Sequence, residues 1–232
     1  FFIARHFGFC YGVKNAIELS YKAIEENPDK RIFLLSEMIH NPEVNEDLKS
    51  RGVKFIFETN REQIISWDEL KKNDIIIIPA FGTTIETEDK LKRANVDIRK
   101  YNTTCPFVEK VWKRAYTLGK DNFTVVVHGK YNHEETRATY SHSKMNAPTI
   151  IVYDLAETKV IGDFILGKIS KEKFLELFKG RYTEGFDPDT NFLKLGVVNQ
   201  TTMLATETRE ISDYLFNIMK EKYGENNIAE HF

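Results

Sequence analysis

The chain has 232 residues, with 33 Lys and Arg against 35 Asp and Glu and a formal net charge of −2 at pH 7; the pI is near 6.4. That length holds one large domain or two modest ones, either with a proper core. Balanced charge and the lack of a Lys/Arg-rich run argue against nucleic acid or an anionic membrane as partner. The longest apolar run, near Ile75 to Ala80, falls far short of the roughly 20 residues a spanning helix needs. The opening Phe-Phe-Ile-Ala-Arg-His has neither the charged start nor the long apolar centre of a signal peptide. It lacks an initiator Met and begins almost inside the first motif, so the chain is expected to be a fragment.

Short β-rich apolar runs alternate with amphipathic stretches along the chain. Val13–Glu26 has helical periodicity, and strands are predicted at Arg31–Leu35, Lys54–Phe57 and Asp74–Pro79. A helix at Ile85–Ala94 and a strand at Val96–Tyr101 follow, then a helix at Phe107–Leu118. Strands at Phe123–His128, Pro148–Tyr153 and Leu193–Asn199 and a helix at Glu207–Tyr223 complete the pattern. Strands alternating with helices define an α/β class of repeated αβα domains with mostly parallel sheets. Residues 167–191 break the alternation and have the character of an insertion.

A weak internal repeat divides the chain into 1–104 and 105–232. Both halves open on a Cys leading into a helix, Gly8-Phe9-Cys10-Tyr11-Gly12 and Thr103-Thr104-Cys105-Pro106. Each then has a strand running into a His- and Glu-bearing loop, Ile39-His40-Asn41-Pro42-Glu43 and Asn132-His133-Glu134-Glu135-Thr136. Later, Pro79-Ala80-Phe81-Gly82-Thr83-Thr84 and Asn199-Gln200-Thr201-Thr202 each end a strand in a Thr-Thr turn. Val96–Tyr101 closes the first half and Asn226–Phe232 the second, so a third Cys is expected shortly after Phe232.

Two cysteines do not make a secreted disulfide framework; they are compatible with a disulfide, two buried thiols or part of a metal site. Pro106 suits the first position of a helix, which places Cys105 at an N-cap. Cys10 stands likewise before its helix, and helix N-termini favour the thiolate that binds metal. The His-bearing loops lie after strands and before helices, where open parallel sheets take ligands. Asn41 with Pro42, Asn132 with Glu135 and Thr83 with Glu86 also have capping spacings, so these residues serve equally well as helix caps. His40 and His133 are not needed as caps, and an imidazole beside a helix N-terminus and a Thr hydroxyl seats a phosphate. His6, His142 and His231 have no partner pattern and read as surface or local hydrogen-bonding residues, and Trp67 and Trp112 as packing. There is no P-loop, G-x-G-x-x-G, C-x-x-C or G-x-S-x-G.

Five motifs in order resemble those of the 4-hydroxy-3-methylbut-2-enyl diphosphate reductase family: Gly-Phe-Cys10-Tyr-Gly-Val, Ile39-His40-Asn41-Pro42-x-Val44, Thr103-Thr104-Cys105-Pro106-x-Val108, His133-Glu-Glu135-Thr and Asn199-Gln200-Thr201-Thr202. The stretch from His128 to Thr136, Pro79-Ala80-Phe81-Gly82 and the insertion resemble its plant and cyanobacterial branch. The resemblance implies three pseudo-equivalent α/β domains, each supplying one Cys to a [4Fe-4S] cluster that takes the substrate hydroxyl. Cys10 and Cys105 would be two metal ligands, with the third Cys beyond Phe232. Glu135 would be the proton-relay acid, Thr201 would bond near the substrate hydroxyl, and His40, His133 and Thr202 would hold the diphosphate. It further implies reductive dehydroxylation to isopentenyl and dimethylallyl diphosphates, the terminal step of the methylerythritol phosphate route. The electron donor would be ferredoxin or flavodoxin, with neither nucleic acid nor membrane as partner. The location would be the cytoplasm of a bacterium or the plastid stroma of a plant or alga. Phe81 stands where a common bacterial form has His, which removes one diphosphate contact, and the isolated fragment is expected to be inactive. The reading from a different class is a non-catalytic two-domain α/β module that binds a phosphorylated metabolite.

Overall fold

The computed structural model describes residues 8–232; His6 and the opening hexapeptide lie outside them. The chain divides into two compact units, Phe1–Phe107 and Val108–Phe232.

In the first unit, α1 (Tyr11–Glu26) leads into β1 (Ile32–Leu34). Then follow α2 (Pro42–Ser50), β2 (Lys54–Phe55), a 3₁₀ turn at Trp67–Glu69, β3 (Ile75–Ile77) and α3 (Ile85–Arg93). The strands form a parallel sheet in the order β2-β1-β3. Successive side chains on a strand point to opposite faces, and both faces of this sheet are covered. Ile32 and Leu34 pack with Ala16, Ala23 and Leu48 from α1 and α2. Phe33 and Leu35 pack with Leu70, Leu91 and Val96 on the other side. That burial explains why the strands read as unbroken apolar runs.

The second unit repeats the plan. After α4 (Pro106–Lys120) come β4 (Thr124–His128), α5 (Glu134–Ser143), β5 (Thr149–Val152) and α6 (Leu155–Ile165). The short helices α7 (Lys171–Leu177) and α8 (Pro188–Asn191) precede β6 (Leu195–Asn199) and α9 (Ala205–Tyr223). The parallel order β5-β4-β6 matches that of the first unit, with the first strand central. Val125 and Val127 pack with Ala115 and Leu118 of α4. Val126 faces the other way, among Ile161, Ile211 and Leu215 of α6 and α9.

The first of the two closing segments differs from the predicted strand. Val96–Tyr101 forms no ladder: Ile78 and Asn102 share an isolated parallel bridge, while the Arg99 N–H donates to the Asp97 side chain in a turn. Val96 and Tyr101 are buried anchors, which accounts for the strand-like pattern of apolar residues. The end of the second unit is a 3₁₀ turn at Ile228–Glu230, and the His231 carbonyl accepts from the Leu195 N–H. Within 167–191, Tyr182 bridges antiparallel to Ile150, and the Ile151 and Thr183 N–H groups bond across that edge of β5. The segment also brings Phe174, Phe178 and Phe186 into the core. It thus covers a sheet edge that would otherwise invite pairing.

The remaining histidines and tryptophans pack locally. Trp67 meets Phe57 edge-on, Trp112 stacks on His142 with centroids 3.7 Å apart, and His231 stacks on Tyr223.

Candidate functional site: paired thiols and a buried carboxyl

In the first unit, Cys10 is the N-cap of α1 and its side chain makes no cap hydrogen bond. The Cys105 N–H donates to the Ala80 carbonyl, just past β3, at 2.9 Å, which fixes Cys105 at the C-terminal edge of the sheet. A Cβ built on Gly12 would stand 2.5 Å from Cys105 Sγ, well inside van der Waals contact. Glycine at 12 therefore lets the Cys105 thiol lie against the first turn of α1, two residues from Cys10. Both cysteines are free thiols. Among the described residues no group of three or more His, Cys, Asp and Glu side chains gathers as a full metal-binding set. Two soft donors at two helix N-termini fit part of the ligand set of a thiolate-held iron–sulfur cluster. Gly12→Ala is expected to swing the Cys105 side chain away, at about 1 kcal/mol in the range of mild overpacking. Thermal unfolding should show that modest loss.

His40 lies in the loop after β1. Its Nδ1 meets Glu37 Oε2 at 3.1 Å, and its ring packs on Phe81 with centroids 4.5 Å apart. Phe81 is thus an aromatic support for the His40 ring. Asn41 caps α2, accepting from the Val44 N–H, with Pro42 at the first helical position. The other predicted caps shift by one residue. Thr84, not Thr83, caps α3. His133, not Asn132, caps α5, its Nδ1 accepting from the Glu135 N–H at 3.1 Å. So His133 is a cap after all, and that bond puts the proton of the neutral ring on Nε2.

In the second unit Glu135 is 1% exposed, on the first turn of α5. Its Oε1 accepts the Thr201 N–H at 2.5 Å and its Oε2 meets the Thr201 hydroxyl at 3.0 Å. Burial raises the acid's pKa above its usual range, against the opposing pull of the two Thr201 bonds. Gln200, also buried, holds the turn: its Oε1 accepts from the Lys130 N–H and the Thr136 hydroxyl, and its Nε2 donates to the Thr202 hydroxyl. Gly129 makes room for that contact, since a Cβ there would meet Thr136 Oγ1 at 2.5 Å and Gln200 Cβ at 3.0 Å. Sequence reasoning did not single out Gln200 as a supporting residue; its only signal was its place before the Thr-Thr turn.

This arrangement has a defined proton logic. The Thr201 N–H can only donate, so Oε1 is always an acceptor and a proton on the acid sits on Oε2. The Thr201 hydroxyl must then accept from Oε2, which turns its own hydrogen outward. A protonated Glu135 and Thr201 together therefore present a donor to whatever ligand lies beyond the hydroxyl.

The same shift carries a stability consequence. The folded state binds this proton more tightly than the unfolded chain, so its stabilising contribution is greatest below the ordinary value of 4.5 and is lost as pH rises through the raised folded value. Denaturant unfolding should therefore show Glu135→Gln gaining on the wild type as pH rises above 4.5. An identical pH dependence in the two proteins would contradict the buried-acid assignment.

The described structure thus gathers Cys10, Cys105 and His40 around the strand ends of the first unit, and His133, Glu135, Thr201 and Thr202 at those of the second. Two parallel α/β units of matching strand order, with thiols at one and a buried acid at the other, define a repeated α/β protein with ligand-type loops at its strand ends. The profile of the LytB protein family matches residues 1–231, and the chain belongs to that family. A protein of Prochlorococcus marinus named 4-hydroxy-3-methylbut-2-enyl diphosphate reductase is 39% identical over 230 residues, covering 99% of this chain and 56% of its own length. A Synechococcus protein of the same name is 40% identical over 230 residues, with the same coverage. The chain therefore spans little more than half the length of these curated relatives. A solved structure described as (E)-4-hydroxy-3-methyl-but-2-enyl diphosphate reductase, the terminal enzyme of the non-mevalonate pathway, aligns at a TM-score of 0.69 and 26% identity, covering 94% of this chain and 64% of that one. The Plasmodium falciparum reductase aligns at a TM-score of 0.66 and 22% identity over 93% of this chain and 54% of that one, a likeness of fold alone. Among the described residues, no helix is long and apolar enough to cross a membrane.

Proposed function

We propose that this chain is part of a 4-hydroxy-3-methylbut-2-enyl diphosphate reductase, and that its two units carry most of the groups that bind and protonate the substrate. The observation that carries the reading is the buried Glu135 bonded through both carboxyl oxygens to the N–H and hydroxyl of Thr201, a proton donor at the strand ends where α/β sheets take ligands. The paired thiols of the first unit and the family membership support it.

The net reaction takes the allylic diphosphate, two electrons and two protons to isopentenyl or dimethylallyl diphosphate and water. The bond from C4 to its hydroxyl breaks, a new C–H bond takes up both electrons and one proton, and the other proton leaves with the hydroxyl as water. Cys10 and Cys105 would be two thiolate ligands of a [4Fe-4S] cluster. When bound, that cluster supplies the electrons, received from ferredoxin or flavodoxin. Glu135 gives the proton that departs with the hydroxyl, and the Thr201 hydroxyl orients that oxygen. In the second unit His133, beside a helix N-terminus, holds the diphosphate with Thr202, donating from Nε2 because its Nδ1 is occupied as a cap; His40, beside the N-terminus of α2 in the first unit, is an imidazole of the same diphosphate-binding type. Phe81 steadies His40 through their ring contact. The site works in the cytoplasm of a bacterium or in a plastid stroma.

The test is turnover. The full-length protein, reconstituted anaerobically and given an artificial reductant, should convert the allylic diphosphate into the two isomeric products. Tight substrate binding with an intact cluster and no conversion would instead identify a binding module.

A further inference from the structure

The last residue of β4 is a histidine that the proposed function leaves unused. In strand alternation His128 shares the face of Val126, the face packed by α6 and α9, so an imidazole occupies a core position. It is 0% exposed. Its Nδ1 lies 2.8 Å from the Thr208 hydroxyl, in the first turn of α9, and its Nε2 makes no hydrogen bond. Burying a polar ring in a core position costs stability unless its contacts offset it, so its presence calls for a reason.

The reason lies in what the residue joins. The Gln200 N–H donates to the His128 carbonyl at 2.8 Å, at the start of the Gln-Thr-Thr loop. Thr208 stands where that loop has become helix. One residue therefore holds both ends of the segment 200–208, its backbone gripping one end and its ring the other. Thr201, whose N–H and hydroxyl both reach Glu135, lies between the two grips. Burial disfavours the charged ring and lowers its pKa, although Glu207 of α9, Asp154 at the cap of α6 and the Tyr153 backbone favour the charge. The ring thus works as a neutral hydrogen-bonding strut.

We propose that His128 is a positioning residue: its imidazole clamps the Gln200–Thr208 loop so that the N–H and hydroxyl of Thr201 stay aimed at Glu135. The bearing of this clamp on turnover rests on the function proposed above; the clamp itself does not.

Hydrogen–deuterium exchange on the full-length protein separates the two. His128→Asn places a side-chain amide near Nδ1 and can keep the bond to Thr208. His128→Gln places it near Nε2, and His128→Phe keeps the volume without the bond. Exchange at residues 200–204 should quicken by about tenfold or more in His128→Phe and His128→Gln, the scale of a local opening. His128→Asn should remain within about twofold of the wild type. The central strand around Val126 should be unchanged in all three and serves as the internal control for global loosening. Equal protection of 200–204 in the wild type and His128→Phe would overturn the clamp. If His128→Phe does not fold, the comparison of Asn with Gln still decides: equal exchange in those two variants would overturn it as well.

Discussion

On the proposed function, replacing Cys10 by Ser in the full-length protein is expected to abolish the visible absorbance of the proposed cluster and to take turnover below detection. The substitution removes one sulfur and little else. Cys10 is exposed and its side chain makes no cap bond to α1, whereas Ser is among the preferred N-cap residues. Helix α1 should therefore be as stable or slightly more stable in the variant, by a few tenths to about 1 kcal/mol. A hydroxyl, by contrast, is a poor replacement for a thiolate toward iron. Cys105→Ser should behave in the same way, because the Cys105 N–H still reaches Ala80 and Pro106 still opens α4. The measurements are iron and acid-labile sulfide content beside thermal unfolding. Normal iron content in both variants, with unchanged unfolding, would reduce the two thiols to neighbours without a ligand role.

Much of this layout is legible in the sequence, because most of the strands are buried on both faces. Arg31–Leu35, Asp74–Pro79 and Phe123–His128 stand out as unbroken apolar runs, and the structure trims each by a residue or more at its ends. Val96–Tyr101 misleads because its apolar spacing reflects two buried anchors flanking a turn, and a ladder depends on a neighbour that local pattern cannot reveal. The helix starts are legible to within two residues. At Asn132-His133 and Thr83-Thr84 two successive side chains can cap, and the choice between them is made by the approach of the chain. Histidine is not among the usual caps, so the role of His133 was hidden. The thiol against Gly12 and the Glu135–Thr201 pair are tertiary facts. The sequence places each partner after a strand and before a helix, but only the folded sheet brings residues 66 positions apart into contact.

The substitution with the most specific expected effect is Glu135→Gln. Glutamine retains the length of the side chain, and its carbonyl oxygen can accept the Thr201 N–H as Oε1 does now. Its NH₂ can donate to the Thr201 hydroxyl, just as a protonated Oε2 would. The variant thus copies the shape and hydrogen bonds of the protonated acid without a proton to give away. Cluster content and KM should be preserved, while kcat falls by at least about 100-fold, within the usual contribution of general acid–base catalysis. Glu134→Gln is the natural control. Consecutive residues entering a helix diverge by about 100°, and Glu134 is half-buried while its neighbour is fully buried, so its replacement should change kcat by less than about twofold. A third variant, Thr201→Val, keeps the N–H donor to Oε1 but removes the hydroxyl between the acid and the ligand. It should also lose turnover, by about 10-fold or more if the hydroxyl passes on or orients the proton. Near-normal kcat in Glu135→Gln with an intact cluster would leave the carboxylate as a tie between α5 and the Gln-Thr-Thr loop, and the proton would have to come from another group.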